Sequence, residues 1–283
     1  MERPLELARN RRRSLAEHRH AVAALLPGQF ARVGRPPYEV LATLVGNGLL
    51  ATALWFLAPP GLQALFFSFR TEFLFPVVLA TWMLADVPST NQLGSDAAEA
   101  LKRLEHPEAM TDLLRAKQVV LWMLVTPVAT LAAVVLGIMS GTWLSLIATM
   151  AWIATVPMAG LGLSCLVGVR WPYHPITLRQ RWAQRRDQRN DARWLSLILL
   201  PYVLVPAVGA LALLPPAIVY VALHGFEAVD QVGRVDDLPL VLGTLVSVPL
   251  SLGLWRWGTT RAGHVAYARR AELTAYLKDP SRG

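Results

Sequence analysis

The chain has 283 residues, of which 54% are apolar and only 16% charged, with a formal net charge of +8 and a mean hydropathy of +0.40. Soluble domains carry about 25% charged residues; the deficit here lies in five runs without Asp, Glu, Lys or Arg, at 40–69, 73–85, 118–169, 194–226 and 238–255. Four of these reach the roughly 18 residues that cross a hydrocarbon core, which excludes a soluble globular enzyme, and the basic residues between them lack the aromatic interleaving of a nucleic-acid surface.

Residues 1–38 are Arg-rich. Leu15, Val22 and Leu26 are spaced seven and four apart, with Arg11 to Arg13, Glu17 and Arg19 around them. The longest apolar stretch, Ala21 to Leu26, is too short for the core of a cleavable signal. A basic amphipathic helix on an anionic membrane surface is expected, ended by Pro27-Gly28. Span one is Val40 to Leu57, stopped by Ala58-Pro59-Pro60-Gly61. Span two runs from Leu65 to Ala85, with Arg70 and Glu72 near its start as interfacial charges.

The run 118–169 would make a single helix of about 78 Å, so it divides at Ser140-Gly141-Thr142. Span three is then Gln118 to Met139 and span four Trp143 to Val169. In the 170–193 segment, Trp171 and Tyr173 suit an aromatic belt. Arg179, Arg181, Arg185, Arg186 and Arg189 suit anionic lipid. Span five runs from Trp194 to about Leu214. Beyond Pro215-Pro216, a short re-entrant or interfacial helix is expected at Ala217 to Leu223. After a 225–237 loop, span six is Leu238 to Trp255.

The charges test this division. Lys and Arg number 8 in 1–38, 4 in 86–117, 7 in 170–193 and 6 in 256–283, which is 25 of 27. Six spans put all four segments on one side, as the positive-inside rule requires. The expectation is an all-α, six-span membrane protein with both termini cytoplasmic. A transmembrane domain at 39–257 carries cytoplasmic loops 86–117 and 170–193 and external loop 225–237, and a cytoplasmic tail occupies 258–283.

Motifs for chemistry are missing. The chain has no glycine loop ending in Lys-Ser or Lys-Thr, no HExxH, and six histidines without metal-ligand spacing. Leu163-Ser164-Cys165 lacks the flanking glycines of a nucleophile elbow, and no acidic pair lies within a span. Catalysis, a resident cofactor and a metal are therefore not expected. Gly160, Ser164 and Gly168, like Ala42 and Gly46, form small-residue faces for close helix packing, with Cys165 as a packing residue. Thr43, Asn47 and Thr52 are the polar residues of span one and candidates for a translocation path.

The loop 86–117 is the informative segment. Its six acids and four bases give −2, while the other basic segments are +5, +5 and +4. Asp96 and Glu99 have capping-box spacing. His106-Pro107 stops a first helix and starts a second. Leu101 and Leu104 form one apolar ridge; Met110, Leu113 and Leu114 form another.

In the order of its parts the chain resembles the membrane subunit of a bacterial ATP-binding-cassette (ABC) exporter of the type-2 superfamily. The likeness rests on the basic N-terminal helix, the six spans, and a loop running through Asn91-Gln-Leu-Gly94, Ala100 to Leu104, Pro107 and Leu113-Leu-Arg-Ala-Lys117. The proline-broken stretch after span five adds to it. His106 stands where the family has serine, and Ala116 where it has glycine. The resemblance implies a permease subunit in the plasma membrane, paired with itself or a similar chain. It implies a separate ATPase subunit that binds ATP and magnesium. Asp96, Glu99, Leu101, Leu104, Pro107, Met110, Leu113, Leu114 and Lys117 would form the coupling surface for that ATPase. Two rival classes remain, a non-transporting scaffold or sensor and an ion-coupled secondary transporter. Nothing in the sequence separates lipid, drug, peptide or polysaccharide precursor as substrate.

Overall fold

The computed structural model describes residues 3–36, 38–59, 74–141, 143–172, 188–224 and 237–279, and among them every regular element is helical. In chain order these are α1 (Arg3–Val33), α2 (Glu39–Leu57), α3 (Leu74–Met83), α4 (Val87–Thr90), a single 3-10 turn at Gly94–Asp96, α5 (Ala97–Arg103) and α6 (Pro107–Ser140). They are followed by α7 (Trp143–Arg170), α8 (Gln188–His224), α9 (Asp237–Ala268) and α10 (Arg270–Leu277). Four described helices are long and apolar enough to cross a membrane: α2, α6, α7 and the Leu240–Ala268 part of α9. A bent pair within α8, Leu199–Leu211 and Leu213–Leu223, makes up to five. The chain is a multi-pass membrane protein.

Local chemistry accounts for three of the helix ends. Ala58 is extended at φ −66° and ψ 146°, the conformation that a following proline imposes. His106 is likewise extended ahead of Pro107, and Pro107 opens α6, where its missing N–H costs nothing. Gly141 closes α6 at φ 70°, its N–H bonded to Gly137 O, so the expected turn after Ser140 is present.

Three boundaries differ from expectation. First, α1 does not stop at Pro27-Gly28; it continues to Val33. An internal proline costs about 3 kcal/mol, but the extra turn carries Gln29 and Arg32 onto the loop after α3. Second, α8 continues through Pro215-Pro216 to His224 and divides between Leu211 and Leu213, where a bend of 43° leaves a broken span or a re-entrant segment of the kind expected beyond Pro215-Pro216. Pro215 lies four residues beyond Leu211, where a proline ring crowds the carbonyl and removes a helical hydrogen bond. Third, α9 continues past Trp255 to Ala268, and the segment beyond it folds as α10.

The middle of the bundle is α7, with 78% of its most apolar window buried, against 22–28% for α2, α6 and α9. Glycine sets its closest approach to α9. A Cβ at Gly258 would lie 2.6 Å from the carbonyl carbon of Gly162, and one at Gly162 would lie 2.7 Å from Trp255 Cα. Gly160 packs on Val205 of α8, Ser164 is fully buried, and Gly168 sits on the backbone of Thr90. The α2 pair behaves differently: Ala42 and Gly46 are exposed, and Gly46 has open space beside it.

Buried side chains form two groups. One fills the bundle with α2, α3, α6 and α7 residues, among them Leu44, Trp55, Val77, Val125 and Ile153. The second lies at the end carrying the basic segments and draws on the loop, α6, α7, α9 and α10.

Candidate functional site

The second group contains most of the loop's apolar residues. Leu104, Met110, Leu113 and Leu114 are 0–1% exposed, packed with Leu93, Cys165, Val169, Ala262, Ala266, Leu273 and Leu277; Leu101 lies half-buried at the margin. The ridges marked out in the sequence for an outside partner are thus covered by this chain's own α9 and α10. What the loop leaves exposed is the turn around Pro107, with Ala98, Lys102, Glu105, His106 and Glu108 facing out.

The polar stretch before α5 is also internal. Ser89, Thr90, Asn91 and Gln92 are at most 3% exposed. They are tolerated because the turn satisfies itself. Asn91 Oδ1 accepts from Gly94 N at 3.2 Å, Ser95 Oγ donates to Asn91 O at 2.8 Å, and Gln92 Nε2 donates to Ser89 O at 2.8 Å. Gln92 then reaches Gln118 on α6 at 3.4 Å. Gln118 Oε1 accepts from Trp255 Nε1 at 2.6 Å and Thr259 Oγ1 at 2.9 Å, tying α6 to α9.

Asp96 organises the charges. Its carboxylate lies 2.9 Å from Arg32 of α1 and 3.4 Å from the Lys117 ammonium of α6, with Gln29 donating at 3.5 Å. Arg32 also donates to Ser95 O, and Lys117 to Gln92 O. The expected capping box does not form. Asp96 precedes α5 without a side-chain cap bond, because two cations, the buried Lys117 and the partly exposed Arg32, attract a carboxylate more strongly than a neutral N–H does. Glu99 pairs instead with Arg103 at 2.9 Å and Lys102 at 3.5 Å. Burial pushes the Lys117 ammonium down to about 8, while Asp96 holds it up. Burial likewise lowers Arg32 against the pull of Asp96. A second link ties α1 to α6: His18 Nδ1 lies 2.9 Å from Asp112 Oδ2, and Arg115 lies 3.6 Å from the other oxygen.

Of the polar residues of span one, Thr43 is half-buried, and Thr52 donates to its own helix at Gly48 O, 2.8 Å away. Asn47 is buried and makes a long-range contact. The Tyr202 hydroxyl of α8 lies 2.8 Å from Asn47 Oδ1 and 3.2 Å from Asp86 Oδ2, while the Asn47 amide nitrogen has no partner. Neither Tyr202 nor Gln118 stands out in the sequence, since each is one polar group in or beside a long apolar run.

Trp171, 49% exposed, lines a shallow cleft of about 560 Å³ with Arg170, Arg269 and Glu272. Arg269 is committed there. It donates to Arg170 O at 2.7 Å and grips Glu272 at 2.6 Å, and Glu272 raises its affinity for a proton. Arg70, Glu72, Tyr173, Arg181, Arg185 and Arg186 lie outside the described residues. No group of three or more His, Cys, Asp or Glu among the described residues could hold a metal ion. No protein-family model matches the chain, and searches of curated proteins and of solved structures return no significant match.

Proposed function

We propose that the chain is the permease subunit of an ATP-driven ABC exporter, with six spans and both termini in the cytoplasm, in the plasma membrane. A separate ATPase subunit would bind ATP and magnesium, and the permease would pair with itself or a similar chain. One observation carries this reading: α6 is a single helix of 34 residues, about 51 Å at the usual rise, from Pro107 at the exposed turn to Ser140. A push on that turn reaches the bundle through one continuous helix, which carries Pro127 in its interior. Around it, α1 and α10 brace the loop through Asp96 and through the buried leucines, so the turn moves with span three rather than flexing alone.

Span two, Leu65 to Ala85, would contain α3, in which seven of ten residues are buried. The ATPase would meet the exposed turn, at Lys102, Glu105, His106 and Glu108, instead of the leucine ridges, which support the turn from inside. On ATP binding, closure of the ATPase dimer would move this turn and α6 together.

The test is a tagged purification from native membranes, with mass spectrometry of what accompanies the chain and an ATPase assay on the eluate. A stoichiometric nucleotide-binding partner is expected, and it is expected to be lost on Glu105→Lys with Glu108→Lys in a chain that still folds and inserts. A folded, inserted protein that brings down no nucleotide-binding partner sinks the exporter and leaves a scaffold or an ion-coupled carrier.

A further inference from the structure

We infer that the cleft between the end of α7 and the start of α10 binds a phosphate ester on Arg170, Trp171 and Arg269. The inference rests on the chain's place in a membrane and not on a transport function. The cleft holds about 560 Å³ and is lined by Arg170, Trp171, Arg269 and Glu272. Arg170 is the last residue of α7, directly after the apolar Val169. The cleft therefore lies where the apolar part of the span ends on the basic side, at the height of lipid headgroups, and Trp171 has the place of an interfacial aromatic.

Arg269 is fixed before any ligand arrives. It sits at the break between α9 and α10, donates to Val169 O at 3.3 Å and Arg170 O at 2.7 Å, and holds Glu272 through bonds of 2.9 and 2.6 Å. Carbonyls at a helix C-terminus carry partial negative charge; Arg269 covers two of them, so the end of α7 does not turn an anion away. A guanidinium has five N–H groups, and these four bonds leave at least one for a ligand. Arg170 and Trp171 are exposed, and among the described residues neither the Arg170 guanidinium nor the Trp171 indole N–H has a hydrogen-bond partner. The cleft thus presents donors from three residues. Two arginines against one glutamate leave it with one positive charge. Glu272 is matched by Arg269, and Arg170 repels any cation that the Trp171 ring would otherwise draw. A carboxylate has two acceptor oxygens, whereas a phosphate ester spreads its charge over more and so suits three separate donor groups. The Trp171 ring adds an apolar face for the glycerol carbons next to the phosphate.

The full chain in neutral maltoside micelles provides the test, read as ligand-dependent thermal stabilisation. One arm titrates phosphatidylglycerol against diacylglycerol of the same acyl chains, which lacks the phosphate. The other titrates glycerol 3-phosphate against glycerol. A saturable shift with phosphatidylglycerol alone identifies a lipid headgroup; a saturable shift with glycerol 3-phosphate, with or without the lipid, identifies the phosphate ester as sufficient. Arg170→Gln is expected to weaken binding about tenfold or more by removing the charge. Trp171→Phe keeps a ring and loses the N–H; it is expected to weaken binding about threefold, and it carries the test if Arg170→Gln does not fold. Arg261→Gln removes the same charge from an exposed position of α9 outside the cleft and is expected to change binding less than about twofold. No saturable shift in either arm, equal shifts with diacylglycerol and glycerol, binding unchanged in Arg170→Gln, or an equal loss in Arg261→Gln overturns the site. Because binding is read on this chain alone, a missing ATPase partner defeats the transport function separately from this result.

Discussion

At the scale of single residues, Lys117 has a measurable signature. Its ammonium titrates near 8 in the folded chain against an ordinary value of 10.5. Below about 8 both folded and unfolded states hold the proton, and folding bears the full cost of burying the charge. Between the two values the unfolded state binds more protons, so stability rises with pH, by about 1.4 kcal/mol per pH unit at most. Thermal melts of the wild type across that window should climb relative to Lys117→Met, which lacks the titrating group; parallel profiles would place Lys117 in a wetter site. Asp96 faces two cations, so Asp96→Asn should cost about 3 kcal/mol through uncompensated buried charge. Glu99→Gln touches a pair with the 73%-exposed Lys102 and the partly exposed Arg103, and chemical denaturation should find a loss under about 1 kcal/mol.

Among elements, the α7–α9 crossing makes a sharp comparison. Gly258→Ala drives a methyl into the Gly162 backbone, where neither helix can yield without separating, and should destabilise by about 2 kcal/mol or more. Gly253→Ala on the same helix meets nothing within 4 Å and should melt at or slightly above the wild-type temperature. Leu273→Ala should remove about 2–5 kcal/mol from the loop core, detectable as faster hydrogen exchange at Leu104 and Leu113. Four of the spans, α2, α6, α7 and α9, and the breaks at Pro59, Pro107 and Gly141 were legible because charge gaps and turn residues are local signals. The continuation of α1 past Pro27 was not, since its anchors Gln29 and Arg32 bind residues more than sixty positions away. The same holds for the amphipathic loop. Leu104, Met110 and Leu113 have the spacing of a docking face, and spacing alone cannot say whether the partner is another protein or α10. Asn47 was legible as a polar residue in an apolar run, but Tyr202 and Asp86 joined it only through packing.

On the scale of the whole molecule, the basic-end core is assembled from nearly the full length of the chain: α1 braces it, the loop and α7 fill it, and α9 and α10 cover it. That arrangement has a consequence for biosynthesis. Leu273 is translated 160 residues after Leu113, so at synthesis rates of about 5–20 residues per second the loop's leucines wait roughly 8–32 s for their cover. Throughout that interval a half-made chain displays an oily patch on the basic side, open to chaperones and membrane proteases. A chain released short of α10 would keep that mark permanently. The tail therefore acts as a completion seal, and pulse-chase half-lives of chains cut just before Arg270 should fall well below those of the intact protein.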